Sequence, residues 1–147
     1  MFDKILVALD GSDHAQKALD TAIKLAQRCD GELILFHAIQ LSALRGDYHA
    51  MVTPAARKIY RGLGREQGEA ILDQAEKTAK NMGLHKVFRS IVEADSTAKA
   101  ILSAADTSGI NLLVLGTRGL TGLREMAMGS VAHKITAAAK CPVLIIR

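Results

Sequence analysis

The segment Gly116-Thr117-Arg118-Gly119-Leu120-Thr121-Gly122, followed by Gly129-Ser130, holds the residue types in this chain best suited to binding chemistry. Glycines let a backbone approach an anion closely, with amide hydrogens turned inward as a nest. Gly129-Ser130 adds further amides and a hydroxyl where a helix is about to begin. A polyphosphate satisfies such donors. The competing reading is that these glycines only shape two turns, since glycine is the default residue of tight turns. Their placement after an apolar run and before a helical pattern favours phosphate. The pattern is not a P-loop, because no Gly-Lys-Ser/Thr follows, and it lacks the lysine that would serve hydrolysis. Nor is it the dinucleotide fingerprint, because Gly116-x-x-Gly119 replaces Gly-x-Gly. A second glycine pair, Gly62-Leu63-Gly64, runs on into Arg65-Glu66-Gln67 and does not trail an apolar run, so it is set aside.

Other reactive types are scattered. Asp10, Ser130, His37 and His133 suggest a hydrolase, yet there is no Gly-x-Ser-x-Gly elbow and nothing fixes a nucleophile beside a base. His37, at the end of an apolar run, is expected to pack or hydrogen-bond locally, and His133 to sit on a helix surface. The five histidines show no metal-ligand spacing. A divalent ion at this site would be Mg²⁺ carried by the phosphates of a nucleotide. Hydrolysis is therefore expected to be slow or absent.

The elements that must position these residues follow from hydrophobic periodicity. Lys4 to Leu9 is a short apolar run punctuated by Asp10-Gly11-Ser12, which reads as a buried strand and turn. Ser12 or Asp13 caps a helix with Ala15, Ala18, Leu19, Ala22 and Ala26 inward, closed by Cys29-Asp30-Gly31. Leu33 to Ile39 is the second strand. No period holds from Gln40 to about Thr53, the longest irregular stretch and a candidate functional loop. Thr53-Pro54 has the form of a helix start, but Gly62, Gly64 and Gly68 weaken a helix through them. The firm helix comes later, with Ile71, Ala75, Thr78, Ala79 and Met82 on one face before Gly83. Val87 to Val92 is a third strand, placed toward a sheet edge by Arg89 and Ser90. A helix over 96–108, a strand over 112–115, a helix over 130–140 and a strand over 142–146 complete the chain.

Strands alternating with helices predict one open parallel sheet with helices on both faces, a Rossmann-like α/β fold. In such sheets ligands bind beyond the carboxyl ends of the strands. The residues to examine are then Asp10-Gly11-Ser12, Ala38 to Gln40, Ala94-Asp95-Ser96 and Gly116 onward.

Composition bounds the rest. A chain of 147 residues, 49% hydrophobic and 23% charged, suits one folded domain over residues 1–147 and excludes a disordered chain. An aromatic content of 3% leaves the core to aliphatic side chains. The two cysteines, Cys29 and Cys141, have neither zinc-ligand nor disulfide-framework spacing and are expected to be buried small hydrophobes in a reducing compartment. Neither a signal peptide nor a membrane span is apparent, so a cytoplasmic protein without membrane insertion is expected. The net charge of +4 is mild. With no aromatic platform beside its basic residues, it does not indicate nucleic-acid binding.

Gly116-x-x-Gly119, nine residues, then Gly129-Ser130 resembles the ATP-binding pattern of the universal stress protein family. The opening Ile5-Leu6-Val7-Ala8-Leu9-Asp10-Gly11-Ser12 and the closing Cys141-Pro142-Val143-Leu144-Ile145-Ile146 are similar to that family's first and last strands. The likeness covers essentially the whole chain. It departs where the family often has a glycine and a proline after the third strand and this chain reads Ala94-Asp95-Ser96-Thr97. The resemblance implies a strand order 3-2-1-4-5 and bound ATP. It also implies roles for individual residues. The backbone of Ala8 and Leu9 would line the base, Asp10 would meet the ribose or adenosine end, and Ala38 would contact adenine. Leu115 and Gly116 would close the pocket. Arg118, Gly119, Gly129, Ser130, Val131 and Ala132 would contact phosphates or ribose.

Two functions follow as expectations. One is an ATP-binding stress or regulatory protein whose nucleotide tunes assembly, as a homodimer through the edge strand Val143, Leu144, Ile145 and Ile146, or a higher oligomer. The other is an interaction protein with nucleotide incidental, such as a cytoplasmic accessory to a transporter, meeting its partner through the basic region Gln40 to Arg65.

Overall fold

The computed structural model describes residues 1–41, 53–119 and 128–147. Its elements are β1 (Lys4–Ala8), α1 (Asp13–Cys29), β2 (Glu32–Gln40), α2 (Pro54–Asn81), β3 (Val87–Ala94), α3 (Thr97–Ser108), β4 (Leu112–Gly116), α4 (Ser130–Ala138) and β5 (Val143–Ile146). The strands form one five-stranded sheet in the order β3-β2-β1-β4-β5, parallel at every pairing. This is the expected order, with β3 and β5 at the edges.

Alternation along the strands divides the core into two layers. Ile5, Val7, Leu33 and Leu35 face α1 and α2, where Ala18, Leu19, Ile23, Leu72, Ala75 and Ala79 meet them. Leu6, Phe36, Leu113 and Leu115 face α3 and α4 and pack on Ala98, Ile101, Ala105 and Ile135. Helices thus cover both faces, which explains why β1 and β4 read as continuous apolar runs.

Local chemistry sets the helix ends. Ser12 caps α1 by accepting from the Ala15 amide at 3.2 Å. Thr53 does the same for the Ala56 amide at 3.2 Å, with Pro54 in the first turn of α2.

Several expectations need correction. Gly62, Gly64 and Gly68 do not interrupt α2, which runs unbroken from Pro54 to Asn81. A Cβ on Gly64 would lie 2.9 Å from Ile39 Cγ2, and one on Gly68 would lie 2.6 Å from His37 Cδ2 and 2.7 Å from Ile91 Cδ1. These two glycines let the helix settle onto the sheet, and that packing outweighs their poor helix propensity of about 1 kcal/mol each. Met82 is exposed rather than inward, while Leu72 is buried on the face where Ala75 and Ala79 lie. Cys29 and Cys141 are free and only partly buried. Burial pushes the Cys141 thiol up from its ordinary value. β3 extends to Ala94, and Gln40 belongs to β2. The rest of the irregular stretch, from residue 42 to 52, lies outside the described residues, as do Leu120, Thr121 and Gly122 of the glycine segment.

Candidate functional site

β1 pairs with β2 on one side and β4 on the other, so the chain reverses its direction of travel across the sheet at β1. That reversal opens a crevice beyond the carboxyl ends of the strands. A cavity of about 810 Å³ lies there, bounded by the ends of β1, β2 and β4, the first residues of α3 and α4, and the N-terminal half of α2.

From β1 come Ala8, Leu9 and Asp10. The Leu9 amide donates to Phe36 O at 2.8 Å, holding the two strand ends together. Asp10 folds back so that Oδ1 accepts from the Ser12 amide at 2.9 Å, a turn that Gly11 permits with φ of +82°. Its other oxygen, Oδ2, faces Gly119, where a Cβ would come within 2.6 Å. β2 contributes Ala38, with His37 and Phe36 before it. His37 bonds well beyond its own neighbourhood. Its Nδ1 lies 2.7 Å from Leu9 O, and because a carbonyl only accepts, Nδ1 carries the proton.

β4 brings Leu115 and Gly116, followed by Arg118 and Gly119. Gly116 is pressed onto the first turn of α1, since a Cβ there would be 2.8 Å from His14 Cβ and its carbonyl carbon. Thr117, between them, is 3% exposed and is the buried polar side chain among the described residues. Its Oγ1 lies 3.2 Å from His14 Nδ1, its amide donates to Ile146 O at 2.8 Å, and its carbonyl accepts from the Gly129 amide at 2.6 Å. One residue thereby joins α1, β5 and the start of α4.

Gly129 is the N-cap of α4, with φ −69° and ψ 160°, and among the described residues no side chain caps the helix. The first bond within the helix runs from the His133 amide to Gly129 O at 2.9 Å. The amides of Ser130, Val131 and Ala132 precede it, and such first-turn amides have no partner within the helix. These residues line the cavity, so its wall carries the positive end of a helix dipole. Gly116, Gly119 and Gly129 have no positive φ among them. Close approach, rather than backbone handedness, is what each supplies.

The twelve residues given nucleotide contacts by the family resemblance, from Ala8 to Ala132, all border this one cavity, whereas Gly11, Ser12 and the Ala94-Asp95-Ser96 turn are not part of its lining. Ser130 is exposed, and His133 lies on the surface of α4, as its position suggested. Sequence reasoning gave no site role to Thr117, though it lies in the glycine segment, nor to Thr97, Ile101 and the α2 residues Tyr60, Arg61, Leu63 and Gln67, which also line the cavity. The available signal was Gly64, whose close packing on Ile39 brings that stretch of helix to the crevice. Among the described residues no group of three or more histidines, cysteines or carboxylates is placed to hold a metal ion. No helix among them is long and apolar enough to cross a membrane.

Comparison with known proteins agrees with this architecture. A universal stress protein YxiE from Bacillus subtilis is 38% identical over 152 residues, an alignment spanning 100% of both chains. The structure of the universal stress protein UspA from Lactobacillus plantarum superimposes with a TM-score of 0.85 at 27% identity, covering 99% of this chain and 98% of that one. A universal stress protein solved in complex with cAMP superimposes with a TM-score of 0.71 at 25% identity, covering 99% and 96%. The universal stress protein family model matches residues 1–147, and this chain belongs to that family.

Proposed function

We propose that the chain acts as one cytoplasmic nucleotide-binding unit that holds ATP in the cavity, and that occupancy regulates its assembly. The observation that carries this reading is the start of α4, with a glycine as its N-cap, bordering the same cavity as Gly119 and Asp10. Its amides and helix dipole favour an anion. The related structure holding cAMP supports a nucleotide as that anion. The fit is reasonable in size, because 810 Å³ falls within the range of about 300–1,000 Å³ usual for small-ligand sites.

In this arrangement the α4 amides, Gly119 and Arg118 bind the phosphates. Asp10 meets the ribose or adenosine end, and the backbone of Ala8 and Leu9 together with Ala38 borders the base. Mg²⁺ would travel with the phosphates, held mainly by them. Hydrogen bonds to charged groups contribute about 1.5–3 kcal/mol each. A few of them with a buried base support micromolar affinity, about −8 kcal/mol. The sequence lacks a P-loop lysine, so the nucleotide is held rather than rapidly hydrolysed.

Assembly is proposed through β5, an edge strand whose residues are all only partly buried. Thr117 gives the site a route to that edge, since it bonds both Gly129 and Ile146.

The test is calorimetric titration of nucleotide-stripped protein with Mg-ATP, alongside a folded variant carrying Gly119→Val and Gly129→Val. Saturable binding that is lost in the variant supports the reading. No binding by the unaltered protein removes it.

A further inference from the structure

α2 carries an aromatic side chain to the cavity that the glycine pattern does not include. Gly64 packs on Ile39 and Gly68 on His37, so α2 runs antiparallel to β2, moving back along the strand as the helix advances. Tyr60 precedes Gly64 by four residues, on the same helix face and one turn, about 5.4 Å, nearer the helix start. That step carries Tyr60 past the end of β2 at Gln40. Tyr60 and Leu41 both border the cavity there, on the side where Ala38 lies. Tyr60 is 54% exposed and belongs to neither apolar core, so the fold does not require an aromatic ring at this position.

The phosphate-binding groups occupy the opposite side of the cavity, at Gly119 and the start of α4. A nucleotide with its phosphates there directs its base toward the end of β2. At that end Ala38, Ile39, Gln40 and Leu41 carry no ring, the His37 imidazole is held by its bond to Leu9 O, and Phe36 is buried in the core, while Tyr60 offers an exposed flat π-face.

We propose that Tyr60 is the stacking wall of the nucleobase subsite, an inference that rests on the nucleotide reading above. Stacking is indifferent to base identity because every base has a π-face, so Tyr60 strengthens nucleotide binding without choosing among bases. Discrimination falls instead to groups that meet the base edge, at Ala38 and Gln40.

The experiment compares Tyr60→Ala and Tyr60→Phe with the unaltered chain by calorimetry with Mg-ATP and Mg-GTP, and by competition with inorganic tripolyphosphate. Tyr60 lies on a helix surface, where alanine is well tolerated, and circular dichroism checks the fold. Tyr60→Ala is expected to weaken both nucleotides by about tenfold or more and by similar factors, while tripolyphosphate competes unchanged and Tyr60→Phe retains nucleotide affinity. The chain has no tryptophan and two tyrosines, so in a Tyr48→Phe background the Tyr60 emission reports directly: ATP perturbs it and tripolyphosphate does not. Undiminished ATP binding by Tyr60→Ala overturns the stacking assignment alone. Equal losses for ATP and tripolyphosphate overturn it too, since they place the effect at the phosphates. No ATP binding by the unaltered chain refutes the nucleotide reading itself, and this inference with it.

Discussion

The Asp10 carboxylate and Gly119 are in contact at the wall of the cavity, so close that a Cβ on Gly119 would stand 2.6 Å from Asp10 Oδ2. Asp10 is also tethered, because its other oxygen accepts from the Ser12 amide at 2.9 Å. The two residues sit at the ends of strands brought side by side by the sheet.

Gly119→Ala is therefore expected to push Asp10 out of place and to weaken ATP binding by about tenfold, near 1.4 kcal/mol. Asp10→Ala removes the atom that the new methyl group meets. The double variant should bind ATP no more weakly than Asp10→Ala alone, a non-additivity that residues in contact show. Calorimetry on the four proteins checks this, and strictly additive losses would contradict the contact.

Two glycines of α2 should respond oppositely to alanine. Gly62 has nothing within 4 Å of a Cβ, so Gly62→Ala gains helix propensity and should stabilise the fold by about 0.5–1 kcal/mol. At Gly68 the new methyl group would meet His37 and Ile91 at under 3 Å, and overpacking should outweigh propensity, for a net loss of about 1–3 kcal/mol. Urea denaturation of both variants measures the contrast.

Acid should loosen the attachment of α2 to β3. Arg89 bonds Asp73 at 2.5 Å, Glu76 at 3.4 Å, and Glu69. A hydrogen bond from Lys80, with Arg89 adding its charge, holds the Glu76 carboxyl below the ordinary glutamate range. A carboxyl lowered in the folded state contributes stability above its unfolded pKa and loses it as pH falls through the folded value. Arg89→Ala should cost up to about 1 kcal/mol near neutrality and flatten the acid side of the stability profile only in part, since the Lys80 bond to Glu76 remains. Chemical denaturation from neutral to strongly acidic pH tests this. A parallel offset at all pH values would show that packing, not charge, was lost.

The β5 edge makes a further prediction. Leu113 and Thr117 donate to Pro142 O and Ile146 O, so alternation turns the backbone groups of Val143 and Ile145 away from β4. Ile145→Pro removes one outward amide and should convert a homodimer to monomer while the calorimetric affinity for ATP persists. Analytical ultracentrifugation reads the change. A monomeric unaltered chain would remove the proposed interface.

Much of this fold was legible in the sequence because the signals were local. Short apolar runs, Ser12 and Thr53 as caps, and helical spacing in α1 and α3 depend on neighbouring residues alone. The paired glycines after β4 and before α4 marked the candidate site for the same reason. What local pattern misjudged was α2, where Gly64 and Gly68 read as weak points. Their partners, Ile39, His37 and Ile91, are distant in sequence and meet them only when the helix docks. Thr117 was similarly opaque: its bonds to His14, Ile146 and Gly129 exist only once strands and helices converge. Tyr60 reaches the cavity for that reason too. Residue type and periodicity by themselves determined which segments become strands and helices and where the glycine-rich turns fall, because propensity, capping and burial act over a few residues. The tertiary structure decided which side chains enclose the cavity and why particular glycines are required, because close approach is a property of two surfaces rather than of one stretch of chain.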